Sequence, residues 1–115
     1  MTTTIWERTA TALTSLTVPV AANVYISPTP GVWPDTFVVY QLVSSVPEQH
    51  ADEAETLRSY RMQVSVFARS LIGLPGIDAL MVAAGFARGP LRELPYDETT
   101  RHYGQVAEYV YLEQE

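Results

Sequence analysis

The stretch LRSYRMQVSVFAR, residues 57–69, decides the fold of this chain. Every second side chain from Tyr60 to Ala68 is apolar or aromatic, and the side chains between them are mostly polar. Because successive side chains of a β-strand point to opposite faces, this alternation predicts one long, half-buried strand. The inner face would carry Tyr60, Met62, Val64, Val66 and Ala68, and the outer face Arg61, Gln63, Ser65 and Arg69. At about 3.3 Å per residue such a strand spans roughly 43 Å, so it must curve, bulge or project beyond its domain.

Phe67 is the exception to the alternation. It places a large apolar side chain on the face that is otherwise polar. This position predicts that one end of the outer face contacts a loop, a helix or another chain.

The composition limits what the chain can do. Its 115 residues suffice for one domain, residues 1–115, with a hydrophobic core. Seven basic and thirteen acidic residues give a net charge of −6, which argues against binding to nucleic-acid phosphates. The absence of cysteine excludes disulfides, thiolate metal sites and cysteine nucleophiles. No apolar run reaches the length of a membrane span and the first residues lack signal-peptide features, so a soluble, unprocessed chain is expected.

The N-terminal half of the chain predicts one helix and two strands. A helix capped by one of the first threonines is expected to run to about Leu16, because apolar residues recur on one stripe. A short strand is predicted at residues 23–26 and a longer one at residues 36–43, which should pair with the strand at 57–69. The connection over residues 44–56 is predicted to be a long acidic loop.

Three prolines and a glycine interrupt residues 27–35, so no regular element is expected there. Trp33 lies in this segment. Its large ring would either cover the core or stand exposed as a contact residue.

The C-terminal half predicts a second helix and a final strand. Pro75 is a plausible first helical residue, and Gly85 is a stop signal after apolar residues spaced by three and four. A short strand at residues 86–91 and a turn at 92–97 would follow. The final strand, from Thr99 onwards, has apolar or aromatic groups on both faces, so it is either central in the sheet or covered by a second molecule.

Together these elements predict an α+β fold with a mainly antiparallel β-sheet and two α-helices packed on one face.

Candidate chemistry is sparse. His50, Asp52, Glu53 and Glu55 have ligand side chains for a divalent ion, but their spacing matches no established metal loop and favours a solvated acidic loop. His102 has no convincing nucleophile nearby in the sequence, which favours a strand histidine with a satisfied hydrogen bond over a general base. No glycine-rich phosphate motif occurs. We therefore predict no catalytic residue, no cofactor and no metal site, and the chain is not expected to be an enzyme.

Several stretches carry a resemblance to a known family. They are an N-terminal helix, WPDTFVVY (33–40), YRMQVSVFA (60–68), a helix ending in AAGF (83–86) and ETTRHY (98–103). In this order they resemble the small tail-terminator and tail-completion proteins, the head–tail joining proteins of long-tailed bacteriophages. The chain departs from that pattern in the proline-dense stretch at residues 28–34 and in its apolar final strand.

The resemblance implies a structural virion protein rather than an enzyme. It implies an α+β domain of which six copies form a ring at the head-proximal end of the tail tube. The partners would be further copies of the chain, the tail tube protein and the head–tail connector protein, and DNA would pass through the ring without sequence-specific binding. The protein would be located in the virion neck after assembly in the host cytoplasm. Related rings serve gene-transfer particles and phage-derived bacteriocins.

A ring subunit contacts its two neighbours through two different surfaces. The residues predicted at this subunit interface are Glu48, Asp52, Glu53, Glu55, Arg61, Phe67, Arg69 and Tyr111. The acids of the loop at residues 46–56 would either line the channel and repel DNA or dock on basic groups of a neighbour. The basic candidates for docking are Arg61, Arg69, Arg88 and Arg92.

The same features also suit a second class of protein, a small antiparallel-sheet dimer that binds a small ligand or a protein partner. Trp33 and the tyrosines would then form the binding pocket. Mass separates the two hypotheses, because one requires six copies and the other two.

Overall fold

The computed structural model describes residues 4–23, 32–49 and 56–114. The elements along these residues are α1 (Ile5–Ala12), β1 (Val20–Ala22), β2 (Thr36–Gln49), β3 (Thr56–Ala68), a 3-10 turn (Leu71–Gly73), α2 (Asp78–Ala83), β4 (Ala87–Asp97) and β5 (His102–Gln114). The strands form one sheet in the order β1-β2-β3-β5-β4. All pairs are antiparallel except β1 with β2, which confirms the predicted α+β class.

Strand β3 is the predicted long strand, and it pairs with β2 on one side and β5 on the other. Its inner side chains Met62, Val64 and Val66 are buried, while Arg61 on the other face is exposed. The predicted alternation is therefore confirmed. We call the face that carries Val64 the inner face and the face that carries Phe67 the outer face.

Both helices pack on the inner face. Ile5 and Leu13 of the α1 region and Met81 of α2 join the strand residues in a single buried cluster. The strand members of that cluster are Val38, Tyr40, Met62, Val64, Val66, Ala107 and Tyr109. Because directly opposed residues of a sheet share a face, the register places all of these side chains on one side.

Helix α1 begins where the sequence predicts but ends earlier than predicted. The Thr4 hydroxyl accepts the Glu7 N–H at 3.1 Å, which is the predicted N-cap. The helix stops at Ala12 instead of near Leu16. After it, the Thr14 hydroxyl and the Thr14 N–H both donate to the Thr11 carbonyl, at 2.7 and 3.3 Å. Threonine side chains compete in this way for backbone acceptors, so the last turn tightens and the helix ends.

Helix α2 is shorter than predicted, because it begins at Asp78 and not at Pro75. Its end is as predicted: Gly85 has φ 99°, a left-handed conformation that glycine adopts without a Cβ clash. The Phe86 N–H donates to the Met81 carbonyl at 3.1 Å and the Gly85 N–H to the Val82 carbonyl at 3.0 Å. These two bonds form a Schellman motif, which satisfies carbonyls at the end of the helix.

The short first strand lies earlier than predicted. It covers Val20–Ala22 and runs parallel to β2. Asn23 follows it with φ 66°, a conformation that ends a strand, so the predicted start at Asn23 is wrong. The rest of that predicted strand, residues 24–26, lies outside the described residues.

Strands β2 and β4 are longer than predicted. Residues 44–49 continue β2 opposite β3, past a bulge between Leu42 and Ser44, so this part of the predicted loop is strand. Residues 92–97 belong to β4 and not to a turn, although Pro90 and Pro95 lie within that strand. Prolines are tolerated in β4 because it lies at the edge of the sheet and pairs irregularly with β5.

The sheet extends beyond the part that the helices cover. We call the extension the distal arm; it consists of residues 44–49 of β2, 56–59 of β3 and 112–114 of β5, paired in register. None of its described side chains belongs to the buried cluster. The long axis of the molecule measures 53 Å and β2 bulges after Leu42, so the prediction that strands of this length curve, bulge or project is confirmed.

Candidate functional site on the outer face of the sheet

No helix in the described part of the chain packs on the outer face, so its side chains meet their neighbours along the sheet and, at one end, Trp33 of the segment before β2. At the end opposite the distal arm, β2, β3, β5 and β4 place Phe37, Phe67, Gly104 and Leu94 in one row. Together with Trp33 and His102, these residues line a concavity of about 550 Å³, which we call the proximal concavity.

Aromatic contacts form the wall of the proximal concavity. The Phe37 and Phe67 rings stack with centroids 4.7 Å apart, and the rings of His102 and Phe37 pack edge to face with centroids 5.1 Å apart. Trp33 tilts against Phe37 at 5.7 Å. The predicted contact of Phe67 is therefore with aromatic residues of its own chain, and Trp33 covers the outer face and not the core between sheet and helices.

Gly104 forms the floor between two apolar walls. A Cβ atom at this position would stand 3.0 Å from the Phe67 ring and 3.0 Å from a Leu94 methyl group. Phe67 and Leu94 therefore close over β5 in space that only a glycine leaves open.

His102 holds the concavity to the segment before β2. Its buried ring places Nε2 at 2.8 Å from the Pro34 carbonyl, which can only accept a hydrogen bond. Nε2 is therefore the donor, and Nδ1 is buried without a partner among the described residues. This geometry matches the predicted strand histidine with a satisfied hydrogen bond.

A polar band crosses the middle of the outer face. Gln41, Gln63 and Glu108 lie in one row, and Arg61 lies beside them with its Nη1 atom 3.5 Å from a Glu108 carboxylate oxygen. Because Arg61 is largely exposed, this pair contributes well under about 1 kcal/mol to folding.

The distal arm carries a second apolar patch on the outer face. Val46 and Leu112 flank Ser59 in one row and are 51% and 55% exposed. Leu57, in the next row, is half-buried. The outer face thus has an apolar concavity at one end, an apolar patch at the other and a polar band between them.

The structure places the predicted interface residues in different surroundings. Phe67 and Arg61 lie on the outer face, as predicted. Arg69 follows β3, and its Nη1 atom lies 2.7 Å from an Asp35 carboxylate oxygen. Asp52, Glu53 and Glu55 lie outside the described residues, as does His50. Glu48 belongs to β2 opposite Leu57, and its side chain is outside the description.

Tyr111, one of the predicted interface residues, does not lie on the outer face with Phe67. It is directly opposed to Tyr60, so it lies on the inner face. The Arg8 guanidinium stacks 4.3 Å above its ring, and Phe86 lies 5.3 Å away. Both faces of β5 carry apolar or aromatic side chains, so the sequence alone does not show which face Tyr111 occupies.

Arg88, a predicted docking group, lies on the inner face beside α2. Its guanidinium pairs with the Asp78 carboxylate, and the Tyr109 hydroxyl donates to the same carboxylate at 3.0 Å. The hydrogen bond from Arg88 lowers the pKa of Asp78. Burial, followed by the hydrogen bond to Asp78, raises the pKa of Tyr109 well above its ordinary value. This cluster fixes α2 to the sheet.

Much of the outer face is not evident from the sequence. No sequence pattern marks Phe37, Leu94, Gly104 and His102 as neighbours of Phe67, or Val46 and Leu112 as one patch. The register between strands is what brings them together, and a single strand pattern does not encode it.

Metal sites and membrane-spanning helices were sought among the described residues. The described residues include no group of three or more His, Asp or Glu side chains that could hold a metal ion. Among those same residues, no helix is long and apolar enough to cross a membrane.

No family model and no curated protein matches the chain. Among solved structures, it is similar to a chain described as "Virion of native gene transfer agent (GTA) particle". The TM-score is 0.44 and the identity 13%, over 92% of this chain and 84% of that chain. At this TM-score and identity, the likeness carries no argument about fold or function.

Proposed function

We propose that the protein is a structural virion protein without enzymatic activity. In this proposal it is a tail-terminator or tail-completion protein, and six copies form a ring at the head-proximal end of a phage-like tail tube. The ring joins the tube protein to the head connector, and DNA passes through it without sequence-specific binding. The motif resemblance described above supports this assignment.

The observation that carries the proposal is the outer face of the sheet. It has two different apolar regions, the proximal concavity and the distal arm, at opposite ends of the same strands. A subunit that contacts its neighbours head to tail needs two different surfaces of this kind, because each contact joins one surface to the other. An isolated monomer would leave Val46 and Leu112 of the distal arm exposed to water and Phe67 and Leu94 of the proximal concavity partly exposed.

The negative charge fits a ring through which DNA moves. The chain carries −6 overall, so six copies would repel the phosphate backbone and would not retain it. The acids at residues 48–55 are either channel-lining groups or groups that dock on a neighbouring subunit.

The alternative, a dimer that binds a small ligand or protein partner, has one observation in its favour. A concavity of about 550 Å³ has the size of a small-molecule site. Trp33 lines it, as that hypothesis predicts, but no tyrosine is among its lining residues in the described part of the chain.

Mass measurement under native conditions tests the proposal. A particle near six times the 12.8 kDa chain mass, seen as rings by electron microscopy, is the expected result. A particle of twice the chain mass that keeps a bound small molecule would support the alternative. A monomer at all concentrations and with purified tail tubes would overturn both.

A second experiment separates the two roles of the acids. Replacing Glu48, Asp52, Glu53 and Glu55 together with lysine should scarcely alter the circular dichroism, because substitutions of surface residues rarely change a fold. If the acids dock on a neighbour, the ring dissociates. If they line the channel, the ring persists and gains salt-sensitive affinity for DNA. A ring that persists without DNA affinity would contradict both roles.

A further inference from the structure

We propose that the proximal concavity binds an organic cation, an ammonium or guanidinium group carried on an apolar stem. Aromatic rings wall the concavity, and the carboxylate of Asp97 lies among its lining residues. No arginine lines it in the described part of the chain, and the sequence contains no lysine. All of these lining residues belong to one chain, so the site does not require the proposed ring.

Asp97 gives the concavity its negative charge. The Oδ1 atom accepts the N–H groups of Thr99 and Thr100 at 2.9 and 3.2 Å, which holds the carboxylate in place. Within the described residues Asp97 forms no ion pair. A cation that enters the concavity would therefore supply a charged partner that Asp97 lacks.

The arginines near the concavity do not cancel this charge. Arg69 pairs with Asp35, with Nη1 at 2.7 Å from a carboxylate oxygen. Arg92 and Arg101 are exposed, and each has an exposed glutamate within three positions in the sequence. Basic and acidic groups are thus matched around the concavity, and the charge of Asp97 remains in excess.

The other polar groups of the lining can accept hydrogen bonds. Because Nε2 of His102 donates to the Pro34 carbonyl, Nδ1 of the same ring is an acceptor, and it has no donor among the described residues. Ser65 and Gln41 also line the concavity, and each has a side-chain oxygen that can accept. Ammonium and guanidinium groups carry donors only, so they match this lining. A carboxylate or phosphate would meet Asp97 and further acceptors.

The aromatic wall suits the same class of ligand. The Phe37 ring stacks on Phe67 with centroids 4.7 Å apart, and Trp33 lies 5.7 Å from Phe37. Aromatic rings attract ammonium and guanidinium groups through their quadrupole, most strongly where water is excluded. Leu94 adds apolar surface for the stem, and a volume of about 550 Å³ is ample for such a group.

The cation has two possible sources that share this chemistry. One is a free amine. The other is an arginine or lysine side chain of a neighbouring protein chain.

Three ligands of similar shape test the preference for positive charge: benzylammonium, benzyl alcohol and benzoate. NMR titration of isotope-labelled protein follows the amide signals of Gly104 and Thr100, which line the concavity. Benzylammonium should bind at least about tenfold more tightly than benzyl alcohol, because only the charged group gains the ion pair and the attraction to the rings. Benzoate should bind more weakly than either. Equal affinity of the cation and the alcohol, tighter binding of benzoate, or no shift of these signals would overturn the proposal.

Asp97→Asn isolates the contribution of the carboxylate. Asparagine keeps a side-chain oxygen for the N–H groups of Thr99 and Thr100, so the turn should be retained. The affinity for benzylammonium should fall about tenfold, whereas the affinity for benzyl alcohol should not change. An unchanged affinity for benzylammonium would overturn the proposal. If the variant fails to fold, the comparison of the three ligands on the original protein decides alone.

Glu98→Gln is the matched control. It removes the same charge one position away, from an exposed side chain that is not among the lining residues. The affinity for benzylammonium should stay within about twofold of the original value, since an exposed charge outside the site is screened by solvent. Equal decreases in Asp97→Asn and Glu98→Gln would mean that general negative charge attracts the cation, which would overturn a specific site.

Comparison of single subunits with the assembled particle identifies the source of the cation. Benzylammonium that binds dilute subunits but not the particle would identify a side chain of a neighbouring chain, because that side chain already occupies the concavity. Binding to both forms would identify a free amine. Absence of a six-copy particle would contradict the proposed function and leave the ligand measurements on single subunits unaffected.

Discussion

The two faces of the sheet come from the same strands, yet they differ in what covers them. On the inner face two helices complete the burial, and Met62 and Val64 are fully enclosed. On the outer face no described helix covers the sheet, so Phe67 stays half-exposed although it stacks on Phe37. The comparison teaches that the inner face stabilises the monomer, whereas the outer face has apolar surface left for another molecule.

Val64→Asp is expected to have the largest effect. It would place a charge among buried side chains of the inner face, which costs several kcal/mol and exceeds much of the stability of a small domain. The protein should become insoluble. Gln63→Asp, one residue away on the outer face, is the control; repulsion from Glu108 should cost it less than about 1 kcal/mol. Solubility and thermal melting are the measurements, and a stable Val64→Asp protein would reverse the assignment of faces.

Met81→Ala tests the helix side of the inner face. Met81 is fully buried in α2, so its truncation leaves a cavity and should lower the free energy of unfolding by about 2–5 kcal/mol. Val82→Ala in the same helix removes a side chain that is 40% exposed and should cost much less. Urea denaturation measures both. Equal decreases in the free energy of unfolding for the two variants would mean that α2 does not bury Met81 against the inner face.

Phe67→Ser tests the outer face. The monomer should lose only about 1–2 kcal/mol, mainly the stacking on Phe37 and part of its apolar burial. Association should weaken far more, because the wall of the proximal concavity is removed. Light scattering combined with thermal melting separates these effects. A full-sized oligomer after this change would show that the wall is not needed for assembly.

The smallest expected effect concerns Tyr109 and pH. Because burial and the Asp78 carboxylate raise the pKa of this phenol in the folded protein, its contribution to stability is complete below the ordinary tyrosine pKa near 10. Stability then falls as the pH rises further, since only the unfolded chain ionises readily. Tyr109→Phe should cost about 1 kcal/mol at neutral pH and weaken that alkaline fall.

Tyr96→Phe is the control for the loss of a hydroxyl. Tyr96 is exposed on β4, so its replacement should change the free energy of unfolding at neutral pH much less than Tyr109→Phe does. The chain contains no lysine, so lysine ionisation does not overlap the tyrosine titration, and comparison with the original protein separates Tyr109 from the other six tyrosines. An unchanged alkaline fall in Tyr109→Phe would contradict the assigned role of this hydroxyl.

The sequence predicted those parts of the fold that a local pattern encodes. The alternation from Tyr60 to Ala68 determined β3 and its faces, and Gly85 marked the end of α2. The fold class followed from the order of elements. The sequence also predicts a contact for Phe67, because it is the one large apolar side chain on a face that is otherwise polar.

The rest depends on tertiary context. Pro90 and Pro95 predict a break, but an edge strand needs hydrogen bonds on one side only, so β4 continues through both. Residues 44–49 are polar and look like a loop, yet pairing with β3 makes them strand. The proximal concavity combines residues of four strands, so its assembly depends on register and not on any one stretch.

Strand β1 is short, and this has a consequence for solubility. It pairs only with Val38, Val39 and Tyr40, so in the described part of the chain β2 has no neighbour on that side from Gln41 onwards. Open strand edges invite the addition of further strands and growth into fibrils. The bulge after Leu42 and the missing N–H of Pro47 interrupt the hydrogen-bonding groups of this edge. Both features hinder the addition of another strand and so disfavour fibril formation.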